Sequence, residues 1–423
     1  MCLDIFQKLV NLEINKQVQT SSIDFMKSSM LLLIALTIFI FSMQSAWADK
    51  SDVFNAFVST NYRHDDNLFR LPDGVKPSNG TSRSDNILSS TVGVSFNKEY
   101  SLQRFSLLFT HVDYKYQNAD YLDFKANNYS TNWAWALTPY LRGNLSADRN
   151  QRASGFGDFR NVNSQNSIVI KNETFDVDFS PYGNWHLLTA YSRRTQTNSA
   201  VFVEESSFIL HTKRVGVRYL FPSSSFVEFN VKDSNGENTR QVEVDVGQVG
   251  RDFDEREDEL KFNWMLSGKS TLVSNVSHLK REYDSTSNRN FSGNFGSIQY
   301  KYLLSDKTTL ALVASRTINA YQLQQTNYSQ VDTLAFSPSY AISSKLSLIG
   351  NVQFSERNFK GDGPVPTSDE RVDKMRVYSL SLAWTPLESL NLGATIKHDE
   401  RNSNQNFFDY SSNQIAVNGG WTF

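Results

Sequence analysis

Cysteine is nearly absent from this chain: Cys2 is the single one in 423 residues. That excludes internal disulfides, and beyond position 2 it excludes thiol chemistry, a profile that fits export without disulfide stapling. Proline numbers only nine. After residue 49 no segment of useful length repeats with the period of a helix, which sets helical architectures aside. No apolar run reaches the roughly 20 residues of a membrane-spanning helix. The net charge of −2 gives no reason to expect nucleic acid as a partner. The histidines are His64, His111, His186, His211, His278 and His398, and none stands in a G-x-S-x-G or H-E-x-x-H context. A lipase working at a lipid face needs an outward Ser–His pair, whereas His278 and His398 are expected to point inward. No catalytic residue, metal site or cofactor is expected, and the chain is not read as an enzyme.

Aromatic residues are plentiful. There are 30 Phe and 18 Tyr, and the mean hydropathy is −0.44. That value suits a soluble protein, and equally a membrane barrel in which only every second strand residue meets lipid. Near the amino terminus, Lys27 precedes an apolar run of about 12 residues ending at Phe41, and Ala46 and Ala48 follow as an A-x-A site. This predicts a secretory signal within 1–48, cleaved before Asp49, with Met26 as the functional start. Residues 49–423 then form one domain.

That domain alternates with a period of two. Leu88, Ser90, Val92, Val94 and Phe96 share a face. So do Tyr129, Thr131, Trp133, Trp135 and Leu137, then Val215, Val217, Tyr219 and Phe221, then Leu260, Phe262, Trp264 and Leu266. The last segment sets Ile415, Val417, Gly419, Trp421 and Phe423 against Gln414, Ala416, Asn418, Gly420 and Thr422. Strict alternation is the mark of a strand with one apolar and one polar face. Thr110, Val112, Tyr114 and Tyr116 are read as a further apolar face, with His111, Asp113 and Lys115 opposite.

Short Pro-, Gly-, Asp- and Ser-containing turns separate these runs. Pro139, Pro181, Pro222, Gly268, Asp306, Ser344 and Pro386 recur about every 40 residues. The remaining connections, 64–86, 150–165, 233–258 and 360–373, are long and hydrophilic. The pattern predicts an all-β, up-and-down antiparallel transmembrane barrel of about 18 strands, with 16 as the runner-up, short periplasmic turns and long extracellular loops. Closure requires strand 412–423 to pair with strand 53–63. The segment 251–259 carries six carboxylates. It is weighed as a Ca²⁺ loop, lacks the EF-hand glycine and spacing, and is read as a solvated extracellular loop.

A barrel of this size is wide enough for water. Alternation predicts a polar lining of Asp113, Lys115, Arg142, Asn144, Asp176, Asp178, Arg194, Arg214, Arg218, Glu228, Asn230, Lys232, Lys261, Asn263, Gln299, Lys301, Asn351, Gln353, Asn391 and Lys397. These charges either tie strands together in a wet lumen or offer weak, repeated contacts along a solute path.

The segment Asp65-Asp66-Asn67-Leu68-Phe69-Arg70, after the first strand, resembles a signature of outer-membrane barrels encoded with exopolysaccharide biosynthesis and exosortase systems, the EpsL-like or methanolan-biosynthesis type. The terminal strand, with Trp421 and Phe423, resembles the signal read by the barrel-assembly machinery, although its glycines fall at 419 and 420. The resemblance implies a bacterial outer-membrane channel exporting a polysaccharide, in contact with outer-membrane lipid and with periplasmic or inner-membrane export components. The polar lining alone equally fits a general or solute-specific porin, and the long loops fit a structural or adhesive surface barrel.

Overall fold

A computed structural model describes residues 53–158, 165–199, 207–239, 252–284, 289–323, 326–361 and 370–423. The expected leader, with Met26 and its cleavage site, lies outside the described residues. The alternating segments form eighteen strands rather than sixteen. The first nine are β1 (Phe54–Asp65), β2 (Asp85–Tyr100), β3 (Gln103–Tyr116), β4 (Phe124–Thr138), β5 (Leu141–Ala153), β6 (Ser167–Tyr182), β7 (Trp185–Asn198), β8 (Phe208–Leu220) and β9 (Phe226–Asn238). The others are β10 (Phe253–Ser267), β11 (Ser270–Tyr283), β12 (Phe291–Ser305), β13 (Thr308–Leu323), β14 (Thr326–Ala341), β15 (Leu346–Lys360), β16 (Val372–Leu387), β17 (Leu390–Ser403) and β18 (Tyr410–Thr422).

Every strand pairs antiparallel with its sequence neighbours. β1 also pairs antiparallel with β18, Val58 opposite Trp421 and Tyr62 opposite Val417. The sheet therefore closes and leaves no unpaired edge in hydrocarbon, where an unsatisfied backbone group costs several kcal/mol. Eight short turns, from β2–β3 to β16–β17, lie at one end, and register shifts next to several of them, as between Met265 and Ser267.

Leu107, Phe109, Leu187, Val215, Leu260, Leu334 and Ile396 make an exposed apolar exterior. Near the short turns the same face carries aromatic contacts such as Phe105 with Trp133, 5.6 Å between ring centroids, and Trp185 with Tyr219, 4.9 Å. An apolar exterior with an aromatic girdle around a polar interior places the chain in a bacterial outer membrane. The strands run from 12 residues (β1) to 16 (β2), beyond the roughly 9–11 needed to span. They continue past the lipid at the long-loop end, where water permits polar residues on both faces.

That extension corrects several sequence expectations. Residues 253–259 belong to β10 rather than to a loop, so its carboxylates divide: Glu255, Glu257 and Glu259 inward, Asp254 and Asp258 outward. The connection expected over 233–258 shrinks to 239–252, and β13 and β14 join tightly at Leu323 and Thr326. Asp113 and Lys115 are outward, on the face of Phe105, Leu107 and Phe109, while Val112, Tyr114 and Tyr116 point in. His278 is outward opposite Asp258, and His398 outward opposite Tyr378. Each is hydrogen-bonded to an asparagine of the next strand, Asn294 and Asn413, at 2.8 Å.

Candidate functional site

On the inner wall, the strand register brings charges of opposite sign side by side. Asp178 on β6 meets Arg142 of β5 at 3.2 Å and His186 of β7 at 2.6 Å. Arg218 on β8 meets Glu228 of β9 at 2.6 Å. Asn230 donates to Glu228 (2.8 Å) and to Glu259 of β10 (3.1 Å). Lys232 reaches Glu257 and Glu259, both at 3.0 Å, and Lys261 reaches Glu259 at 3.1 Å. Asp176 accepts from Asn144 at 3.2 Å. This band laces β5 to β10 together. Glu228, Asn230 and Glu259 are buried within it, so the charge of the two glutamates is spent on wall partners rather than offered to the lumen.

Other inward cations are placed differently. Arg194, Arg214 and Lys301 stand opposite Asn172, Lys232 and Thr271 on the inner face. Arg63 lies inward on β1. None of these four forms an ion pair among the described residues, and the Nε atoms of Arg63 and Arg214 lack any hydrogen-bond partner there. Lys397 is inward and pairs with Asp399 at 3.0 Å. Around the closing seam the lining is neutral: Ser59, Asn61, Asn391 and Asn418 border a hollow of about 380 Å³.

Described residues occupy part of the long-loop mouth. Residues 66–84 fold inward, burying Leu68, Phe69 and Leu71 against Ile87, Ala119 and Leu122, with Tyr116 packed alongside. This apolar plug is why Val112 and Tyr116 face the interior. The Asp65–Arg70 segment builds it. The Asn67 amide donates to Leu71 O (2.9 Å) and Ser411 O (2.8 Å), and its carbonyl accepts from Leu71 N (2.9 Å). Asp65 accepts from Asn67 N and from both terminal nitrogens of Arg70, each at 3.0 Å. Those bonds hold Arg70 at φ 55°, a left-handed conformation uncommon for a non-glycine residue. Asp66 accepts from Asn413 N at 2.7 Å. The segment thus fastens the mouth to β18; Leu68 and Phe69 are its apolar foot.

A second loop crosses the opening from β5–β6. Phe156 meets Phe69 edge-on at 4.9 Å. Asp158 then lands among arginines of the far wall: Arg357 at 2.7 Å, Arg401 at 3.1 Å and Arg371 at 3.2 Å. Arg371 also pairs with buried Asp373 at 2.6 Å and lies 3.4 Å over the Phe408 ring. Burial pushes the Asp158 carboxyl up, but Arg357, Arg401 and Arg371 outweigh it and hold the group below the usual carboxylate range. Sequence reading missed this latch because its partners lie about 200 residues apart. Arg357 and Arg401 do carry a signal, since they share the inward parity of Gln353 and Lys397.

Residues 275–419 match a family model described as "Putative beta-barrel porin 2". No functionally curated protein matches the chain. Among solved structures, OccK5 (OpdH) of Pseudomonas aeruginosa is 11% identical with a TM-score of 0.50, covering 88% of this chain and 98% of that one. A BenF-like porin from Pseudomonas fluorescens is 10% identical with a TM-score of 0.50, covering 88% and 99%. P. aeruginosa OccK2 (OpdF), solved in complex with glucuronate, is 12% identical with a TM-score of 0.49, covering 88% and 98%. These likenesses concern the fold. With the closed barrel and its wet, polar interior, the chain is a porin-like outer-membrane channel.

Proposed function

We propose that this channel is a solute-selective porin favouring small anionic solutes. One observation carries the reading: Asp178, Glu228, Glu257 and Glu259 of the inner band are held in ion pairs, whereas among the described residues Arg63, Arg194, Arg214 and Lys301 are not, and they outnumber the inward carboxylates without an ion pair, Asp148 and Asp176. Free cations in a narrow wet passage raise the local concentration of anions. The inward fold of residues 66–84, with Phe156 against it, supports small solutes over an extended polymer. The segment resembling exopolysaccharide-associated barrels is folded into that plug, so its residues explain closure rather than sugar recognition, and the matching family model is of porins. The export reading, with its polysaccharide and periplasmic partners, is therefore the weaker one.

Reversal potentials across planar bilayers under a KCl gradient test the proposal. Chloride should permeate more readily than potassium, and the Arg194→Gln/Arg214→Gln variant should bring the two closer. Cation selectivity in the wild-type channel would overturn it. Loss of surface polymer on gene deletion, with anion uptake intact, would favour export instead.

A further inference from the structure

On the outward face, near the long-loop end, β11 to β16 frame a groove of about 770 Å³. Its floor is apolar: Val276, Ile298, Leu334 and Phe354 are each nearly half exposed. It is hollow because Gly296, opposite Arg316, and Ala314, opposite Ile298, are diagonal neighbours that offer almost no side chain. Gly296 is required there. Its φ is 154°, and a Cβ at this position would lie 2.1 Å from the Asn275 carbonyl oxygen. The upper rim is charged and polar, formed by Asn294, Arg316, Asp332, Glu356, Lys374 and Arg376.

We infer that this groove binds a phosphate-bearing lipid of the outer leaflet, an acyl chain lying on the floor and the phosphate at the Arg316–Lys374–Arg376 rim. Lipid is the medium against this face, so hydrocarbon covers the floor by default, and the rim decides which lipid resides there. Arg316, Lys374 and Arg376 share the rim with Asp332 and Glu356, and Glu356 stands opposite Lys374 in the strand register. Arg316 neutralises one carboxylate, donating to both oxygens of Asp332 at 2.6 and 3.0 Å. Arg376 reaches away to Glu400 at 2.8 Å. Lys374 is exposed and forms no ion pair among the described residues, so its ammonium is available to a phosphate. An apolar floor under a rim with one uncommitted ammonium and two arginines matches a phosphorylated headgroup above an acyl chain.

The inference is independent of what the lumen conducts. The full-length barrel in detergent would be mixed with phosphatidic acid or with diacylglycerol of the same acyl chains, and bound lipid counted by native mass spectrometry. Phosphatidic acid should be retained preferentially. Lys374→Ala should lower its retention about fivefold, the effect of one cation near a charged lipid surface. Ala314→Phe, which fills the groove without touching the rim, should lower it too, and Lys115→Ala, outward on β3, should leave it unchanged. Heat-modifiable gel mobility verifies that each variant is folded. Equal retention of the two lipids, or a folded Lys374→Ala that retains phosphatidic acid like wild type, would overturn the inference. So would a complex in which a second copy of the chain occupies the groove.

Discussion

Replacing Asp158 by Asn should open the mouth. Three guanidiniums converge on this carboxylate, at 2.7, 3.1 and 3.2 Å. Arg371 keeps Asp373 at 2.6 Å, Arg401 keeps it at 3.7 Å, and Arg357 keeps its place 4.5 Å from the Phe359 ring centroid. Breaking a buried ion pair costs ~3–5 kcal/mol, because the remaining charge is left without compensation. Asp158 is 23% exposed and its arginines retain other contacts, which argues for the lower end. About 3 kcal/mol shifts the ratio of latched to open loop on the order of 100-fold. Single-channel recording in planar bilayers reads this as larger or more frequent open events. The same latch sets a pH dependence. Because the folded-state pKa of Asp158 is lowered, its contribution is complete above the unfolded value of about 3.9 and disappears as pH falls through the lowered one. Wild-type conductance should therefore be flat near neutrality and rise in strong acid, while Asp158→Asn should be open throughout. Identical gating in the two proteins at neutral pH would refute the argument.

Other consequences of the structure are equally open to measurement. Asn67→Ala removes three hydrogen bonds of the mouth segment, each worth about 1 kcal/mol; protease cleavage within 66–84 should become faster while the barrel stays folded. Glu228→Gln removes Arg218's 2.6 Å partner and leaves it Asp178 at 3.8 Å, and a cost below the ~3 kcal/mol of a fully broken buried pair should lower the temperature at which the barrel unfolds on gels. Gly296→Val should fail to assemble, since the added atoms collide with the backbone of β11.

Much of the architecture was legible in the one-dimensional pattern, and the reason is physical. A membrane barrel meets lipid and water on opposite sides of every strand, so alternation such as Leu260, Phe262 and Trp264 against Lys261 and Asn263 is enforced residue by residue. The short turns must return the chain at one membrane surface, which makes their spacing regular. Strand number, closure of β1 on β18 and the inward parity of Arg142, Asp176, Asp178, Arg214, Arg218, Glu228, Lys232, Lys261, Lys301 and Lys397 follow from those local rules. The rules stop where the lipid stops. Above it, water outside and a folded plug inside reverse the polarity, and for that reason Asp113 and Lys115 turn outward while Tyr116 turns in. The plug, the latch of Asp158 on Arg357, Arg371 and Arg401, and the division of lumen charges into paired and free belong to tertiary structure alone. They depend on side chains far apart in sequence arriving across the same lumen, and a period of two carries no record of distance.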